Sequence, residues 1–239
     1  MLKYTGLLID LDDTILRSFE RYAPALEYTS EIIAKRFNAD AEELLEAVTK
    51  ERKNLRLLMP NLPLGHNRLI AFRNALEKIG AEYRVTELAD VEDIFWDTFL
   101  DGIELFEGAT DTLAKLKDAG VKIVIISDGD LSWRLKKVKK LGLEDLIDDI
   151  VASEEVVFEK PFGALFSLAL KRINKKEDEV VMLGNNLIND VHGAQQVGIR
   201  AGLFDPEEGG NVYGREVADF VKPDFIVRNY KDLLKEFGL

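Results

Sequence analysis

The chain has 239 residues, enough for one well-packed core or for a core domain that carries an insertion. It contains no cysteine and two histidines, which excludes disulfides, thiol catalysis, thiolate zinc sites and multi-histidine metal sites. The formal net charge of -12 would repel a nucleic-acid phosphate backbone, so we expect no nucleic-acid partner. No apolar run approaches the length of a membrane span and the N-terminus carries no signal-peptide pattern, so we expect a cytoplasmic protein without a membrane partner.

The first predicted strand ends in two acidic residues. Residues 7–9 form a short apolar run typical of a buried strand, and Asp10 and Asp12 follow it. Residues two apart in an extended chain point to the same side, so both carboxylates would lean into the crevice where open α/β sheets bind ligands. Carboxylates about 4 Å apart repel by roughly 4 kcal/mol at an effective dielectric constant near 20. The pair therefore indicates a shared proton, two different roles or a bound cation, and a divalent cation held by oxygens fits best.

Residues 17–103 show helical periodicity and no convincing strand. Asp40 and Glu43 form a capping-box pattern before one apolar stripe, and Gly80 ends a second stripe. Residues 59–65 contain two prolines and a glycine and predict a break between helices. We expect this stretch to be a helical module inserted after the first strand.

From about residue 104 onward, predicted helices and strands alternate. The predicted strands lie at residues 122–126, near 150, and at 180–183, 201–204 and 225–227. The predicted helices lie at residues 109–119, 132–141, 161–173, 188–197 and 233–237, and Gly209-Gly210 predicts a loop. Such alternation predicts an α/β fold with a doubly wound parallel sheet.

Three further predicted strands are followed by polar residues. Ser127 and Asp128 offer a hydroxyl and backbone N–H groups beside a glycine, a plausible phosphate cradle, although a simple strand-to-helix turn explains them equally well. Lys160 precedes Pro161, which we expect at the first helical position, and a lone lysine is commonly a solvated charge. Asp190 is expected in the first turn of a helix, where a carboxylate complements the helix dipole.

Taken together, an acid pair, a hydroxyl, a lysine and an acid follow four successive predicted strands, and this set resembles the haloacid dehalogenase (HAD) superfamily of phosphohydrolases. The four motifs are carried by residues 10–14, Ser127, Lys160 and residues 184–190. The helical insertion matches HAD members with a helical cap between the first two motifs. The resemblance implies a Rossmann-like HAD core of residues 1–16 and 104–239 and an all-helical cap domain of residues 17–103.

The resemblance also implies roles for individual residues. Asp10 would attack phosphorus to form an aspartyl-phosphate, and Asp12 would act first as general acid and then as general base. The substrate phosphate of a small phosphate ester would be met by Thr14, Ser127, Asp128 and Lys160. Mg²⁺ would be held by Asp10, the Asp12 backbone carbonyl, Asn185 and Asp190.

Two positions depart from the family pattern. Asn185 stands where the family usually has Asp, so the metal site loses one negative charge unless Asp190 supplies it. Asp128 stands where Asn is commoner, which adds negative charge near the phosphate.

The resemblance therefore implies a Mg²⁺-dependent phosphatase, and three alternatives remain. A haloacid dehalogenase would share the fold, but halide needs no protonation and Asp12 would have no purpose there. A mutase would need a second phosphate site, which nothing in the sequence identifies. A binding protein on a decayed enzyme fold is favoured by Asn185 alone. Substrate-contacting cations in the cap region could come from Arg17, Arg52, Lys53, Arg56, His66, Arg68 and Arg73, although solvated helix faces are the commoner explanation.

Overall fold

A computed structural model describes residues 2–206, 213–214 and 220–239, so the loop predicted at Gly209-Gly210 lies outside the described residues. The chain divides into two compact units, Met1–Arg17 with Glu104–Leu239, and Ser18–Ile103. This division falls one residue after the predicted domain boundary at residue 16. Within the described ranges, no helix has both the length and the apolar character that crossing a bilayer requires.

The regular elements follow the predicted alternation. The strands are β1 (Gly6–Ile9), β2 (Leu16–Arg17), β3 (Glu104–Leu105), β4 (Lys122–Ser127), β5 (Asp149–Ala152), β6 (Val180–Gly184), β7 (Arg200–Phe204) and β8 (Phe225–Val227). The α-helices are α1 (Phe19–Arg36), α2 (Ala41–Leu58), α3 (Arg68–Lys78), α4 (Val91–Leu100), α5 (Ala109–Asp118), α6 (Leu131–Lys140), α7 (Gly163–Ile173), α8 (Gly193–Gln196) and α9 (Tyr230–Phe237).

The larger unit is an α/β fold built on a six-stranded sheet with strand order β5-β4-β1-β6-β7-β8. Every neighbouring pair in this sheet is parallel, which confirms the predicted fold class. β1 lies between β4 and β6, and all four of its residues are buried. A strand covered on both faces has no solvent side, so it is apolar throughout rather than alternating.

The register of the central strands determines which residues meet at the carboxyl edge of the sheet. Ile9 pairs with Ile125 on one side and with Leu183 on the other. The residues that follow these three positions therefore emerge side by side. This places Asp10 between the ends of β4 and β6.

Two local predictions are refined by the structure. The helix predicted at 188–197 is present, but it consists of a π-helical segment, Leu187–His192, followed by the short α8. The Asn186 side chain caps its start by accepting hydrogen bonds from the backbone N–H groups of Ile188 and Asn189 (3.0 and 2.9 Å). Pro161 is not the first helical residue, because a turn with a Phe162 N–H to Glu159 carbonyl bond of 3.1 Å precedes α7.

The smaller unit consists of the four helices α1 to α4 with short 3₁₀ turns. Asp40 caps α2 by accepting a hydrogen bond from the Glu43 N–H at 2.9 Å. Gly80 follows α3 with a φ of 70°, the left-handed conformation that glycine adopts at low cost. The predicted break at residues 59–65 contains the 3₁₀ turn Pro63–His66.

Candidate active site

The acid pair, the serine and the fourth-motif residues meet at the carboxyl edge of the sheet. Asp10 directly follows β1, Ser127 ends β4, and Asn185 directly follows β6. Lys160 enters from the loop before α7 and is buried, with 3% of its surface exposed. The structure thus brings together side chains that lie up to 180 positions apart in the sequence, from Asp10 to Asp190.

Lys160 is the central cation of the site. Its Nζ lies 2.6 Å from Asp10 Oδ1 and 2.6 Å from Asp190 Oδ1, and it also donates to the Ile126 carbonyl at 3.4 Å. Burial opposes the charge on Lys160, but the negative charges of Asp10, Asp190 and Asp128 outweigh it and raise the lysine pKa above its ordinary value. Lys160 is therefore a permanent ammonium group that joins the first and fourth motifs.

Asp10 is buried, with 6% exposure. Burial raises the pKa of Asp10 from 3.8 to about 8; Lys160 works in the opposite direction, and the nearby carboxylates of Asp190 and Asp12 add to the rise. The charge of Lys160 therefore lowers the pKa of Asp10 by less than burial raises it. A second cation beside Asp10 would favour its ionised form.

Asp12 faces the helix that follows the serine motif. Lys137 Nζ lies 2.5 and 2.8 Å from the two carboxylate oxygens of Asp12, and the Lys137 side chain is fully buried. Arg134, one turn earlier on α6, has a guanidinium nitrogen 4.0 Å from Asp12 Oδ2. Arg134 Nε also donates to Ser127 Oγ at 3.2 Å, and another of its N–H groups donates to the Asp128 carbonyl. Because Ser127 Oγ accepts from Arg134, its own proton is available to a substrate oxygen.

Arg134 and Lys137 were not predicted as site residues from the sequence. A signal was present, since both residues share the inward face of α6 with Trp133 and Val138. Charged residues on a face that is otherwise apolar need partners, because an unpaired buried charge is costly. The sequence could not show which acids those partners would be.

Thr14 and Asp128 orient neighbouring groups in the site. The fully buried Thr14 hydroxyl lies 3.3 Å from Asp10 Oδ2 and 3.4 Å from Asn185 Oδ1. The Thr14 carbonyl accepts a 2.6 Å hydrogen bond from the hydroxyl of Tyr230, a residue of α9 that the sequence analysis also missed. Asp128 Oδ1 accepts from the Lys160 backbone N–H at 2.9 Å.

The donor atoms near Asp10 fit a hard divalent cation. Asp10 Oδ2 and Asn185 Oδ1 both lie next to the Thr14 hydroxyl. The first is a carboxylate oxygen and the second an amide oxygen, and Mg²⁺ prefers oxygen ligands of this kind. In the part of the chain that the structure describes, no group of three acidic or histidine side chains forms a metal cage. Mg²⁺ commonly keeps several waters and takes one or two carboxylates with substrate phosphate, so a sparse protein shell is suitable.

Two hydrogen bonds hold the Asp190 carboxylate in place. Its Oδ1 accepts from Lys160 Nζ, and its Oδ2 accepts from the Asn186 N–H at 2.9 Å. A Cβ atom at Gly184 would lie 2.3 Å from the Asp190 carboxyl carbon, so only glycine permits this arrangement. These contacts make Asn185 the better candidate for a direct metal ligand.

The basic residues considered as substrate contacts are placed in different surroundings. Arg68 is buried, and its guanidinium lies 5.0 Å from the Phe95 ring centroid. Arg73 pairs with Glu77 at 3.2 Å. Burial, with a smaller contribution from Arg56, lowers the pKa of Arg52. The guanidinium of Arg17 lies 4.4 Å from the centroid of the Phe106 ring. Lys53 is exposed, and His66 Nδ1 lies 3.5 Å from a guanidinium nitrogen of Arg56.

The chain is similar to several known proteins in sequence and in fold. A ribulose-1,5-bisphosphate 5-phosphatase from Halopiger xanaduensis is 32% identical over 208 residues, which is 85% of this chain and 86% of that protein. The crystal structure of a HAD hydrolase from Bacillus subtilis bound to magnesium superposes with a TM-score of 0.71 at 22% identity, covering 99% of this chain and 100% of that one. A 2-haloacid dehalogenase from Pseudomonas syringae pv. Tomato superposes with a TM-score of 0.72 at 24% identity, covering 98% and 97%.

The sequence itself matches a family model directly. The model for haloacid dehalogenase-like hydrolases covers residues 4–198, which include all four motifs of the site. The resemblance inferred from those motifs is thereby confirmed. The chain belongs to the haloacid dehalogenase-like hydrolase family.

Proposed function

We propose that this protein is a Mg²⁺-dependent phosphatase that hydrolyses a small phosphorylated metabolite through an aspartyl-phosphate on Asp10. The observation that carries the proposal is the position of Asp12, two residues after Asp10 and held by the cations of α6. An acid at this position has a purpose in releasing an alcohol and none in releasing a halide. The Halopiger xanaduensis relative, named as a phosphatase, supports the same assignment.

In the first half-reaction, Asp10 attacks the substrate phosphorus. A bond forms between Asp10 Oδ and phosphorus, and the bond from phosphorus to the substrate oxygen breaks. Asp12 gives its proton to the departing oxygen, so the products are an alcohol and the aspartyl-phosphate. The Ser127 hydroxyl donates to a phosphoryl oxygen, and Lys160 offsets the charge shared by the phosphoryl group and Asp10.

In the second half-reaction, water attacks the phosphorus of the aspartyl-phosphate. Asp12, now a carboxylate, takes a proton from this water. The bond between phosphorus and Asp10 breaks, which releases inorganic phosphate and restores the Asp10 carboxylate. Bound Mg²⁺, held by Asp10, Asn185, the Asp12 carbonyl and the neighbouring Asp190, would neutralise phosphoryl oxygens in both steps.

The proposal includes the substrate class and the role of the smaller unit. We place phosphorylated sugars first among the candidate substrates, because the sequence relative is named for ribulose-1,5-bisphosphate. The helical unit Ser18–Ile103 is proposed as the cap domain, on the ground of its position between the first and second motifs. We propose a cytoplasmic enzyme whose partner is a small molecule and neither nucleic acid nor membrane.

The test is hydrolysis of p-nitrophenyl phosphate with Mg²⁺, followed by a screen of sugar phosphates. We expect turnover that is lost in excess EDTA and is abolished by Asp10→Asn. Asp145→Asn, the same change at an exposed position of the larger unit, is the matched control and should leave turnover unchanged. Release of chloride from 2-chloropropionate without added metal would favour the dehalogenase alternative. Absence of any phosphate-ester hydrolysis in the presence of metal would favour a binding protein.

A further inference from the structure

The α6 helix presents a fully buried lysine to the active site. Lys137 contacts both carboxylate oxygens of Asp12, at 2.5 and 2.8 Å, from a position 125 residues later in the chain. None of the roles assigned so far to Asp10, Ser127 or Lys160 uses this lysine. A lysine with 0% side-chain exposure is uncommon, because removing an ammonium group from water is costly unless a partner compensates it.

The contact constrains Asp12 more than an ordinary surface ion pair does. Asp12 retains 21% side-chain exposure, so its carboxylate contacts the buried lysine and is still partly accessible to water. With Nζ against both oxygens, rotation of the carboxylate away from α6 would break a short charge-assisted contact. A fixed carboxylate is what a general base needs, because proton transfer depends on hydrogen-bond geometry to the attacking water.

We infer that Lys137 is a positioning residue that holds Asp12 in the orientation from which it takes a proton from water in the second half-reaction. This inference rests on the proposed phosphatase function. Arg134, with a nitrogen 4.0 Å from Asp12, is too far for a hydrogen bond and supports the position only by its charge. Lys137 itself contacts no reacting atom in this assignment; it acts through Asp12.

The two half-reactions can be separated with p-nitrophenyl phosphate, whose leaving group departs without a proton. Formation of the aspartyl-phosphate then releases p-nitrophenolate independently of Asp12, whereas its hydrolysis requires Asp12. In Lys137→Met we expect a rapid burst of about one p-nitrophenolate per active site, followed by a steady-state rate about 10 to 100-fold below wild type, the order expected for impaired general base catalysis. Asp12→Asn should show the same pattern.

A double variant shows whether Lys137 acts through Asp12. In the Asp12→Asn background, Lys137→Met should change the steady-state rate by less than about threefold, because the carboxylate that the lysine positions is already gone. Lys139→Met, the same change at an exposed position of α6, is the matched control and should leave both phases as in wild type. Lys137→Gln, which retains a polar donor, replaces Lys137→Met if thermal melting shows that the methionine variant is unfolded.

Several results would overturn the inference. A Lys137→Met enzyme with an unchanged steady-state rate would show that Asp12 needs no such support. Equal slowing of the burst and the steady state would show that the lysine maintains the whole site and not the base. Independent, multiplicative losses in the double variant would show that it does not act through Asp12. If wild type hydrolyses no phosphate ester, the proposed function itself fails, an outcome distinct from all of these.

Discussion

Replacing Asp128 by asparagine should stabilise the protein at neutral and alkaline pH. Burial raises the pKa of Asp128 from 3.8 to about 6; Lys160 opposes the rise and Glu159 adds to it. The folded protein thus binds the Asp128 proton more tightly than the unfolded chain does. Well below pH 4 the Asp128 side chain is protonated in both states and does not lower the free energy of unfolding. The loss of stability due to its ionisation grows as the pH rises from about 4 to about 6 and stays constant above that.

The size of this cost follows from the pKa change. Each pKa unit corresponds to about 1.4 kcal/mol, so the rise to about 6 amounts to about 3 kcal/mol if the group is fully shielded. Asp128 is only partly buried, and residual solvent contact reduces the figure, so we expect about 1 to 3 kcal/mol. Asparagine is never ionised, and its Oδ1 can still accept the hydrogen bond from the Lys160 N–H.

The assay is urea unfolding of wild type and Asp128→Asn, both metal-free, over a series from about pH 4 to about pH 8. The two unfolding free energies should nearly coincide at the acidic end and diverge in favour of the variant toward the alkaline end. Asp145→Asn serves as control, because Asp145 is exposed. A difference that does not change with pH, or a variant that is less stable at about pH 8, would refute the reasoning.

Two further predictions concern the metal shell and the support of the first loop. Asn185→Asp adds a carboxylate beside Thr14 and should lower the half-saturating Mg²⁺ concentration for turnover. Asp190→Ala removes a partner of Lys160 and should raise that concentration. An unchanged value for Asn185→Asp would place residue 185 outside the metal shell. Tyr230→Phe leaves the Thr14 carbonyl without its 2.6 Å donor and should lower the free energy of unfolding by about 1 to 3 kcal/mol, measured by urea unfolding. A loss below about 0.5 kcal/mol in that variant would mean that water replaces the phenol.

The central sheet could be predicted because its strands are short, apolar and bounded. β1, β4 and β6 are almost entirely buried, so each is a largely apolar run, and Asp10, Ser127 and Asn185 mark where these runs end. β2 and β3 were missed because each has two residues, too few to show any periodicity. The helix that begins at Leu187 was predicted, but its π-helical form was not, because an apolar pattern does not distinguish π-helical from α-helical hydrogen bonding.

The site residues at strand ends could be placed from the sequence, whereas the helix residues that support them could not. Asp10, Ser127 and Asn185 come to one place because the parallel strands β1, β4 and β6 end at one edge of the sheet. The contacts of Lys137 and Tyr230 depend on the rotation of a helix about its axis and on the packing of a distant helix. The local pattern places Lys137 on the apolar face of α6, but it does not show which acid this lysine meets.

The strand order has a consequence for the synthesis of the chain. β1 leaves the ribosome first, but Gly6 pairs with Lys122 and Val180, residues that are made much later. Helices α1 to α4 depend on contacts that are closer in sequence and can form during this interval. An apolar strand without partners is an association hazard, so we expect nascent chains halted before β4 to aggregate and chains extended beyond β6 to resist protease. Because the helical unit lies between β1 and β4 in the sequence, β1, which directly precedes Asp10, pairs with its neighbours after a longer interval of synthesis than the other strands of this sheet do.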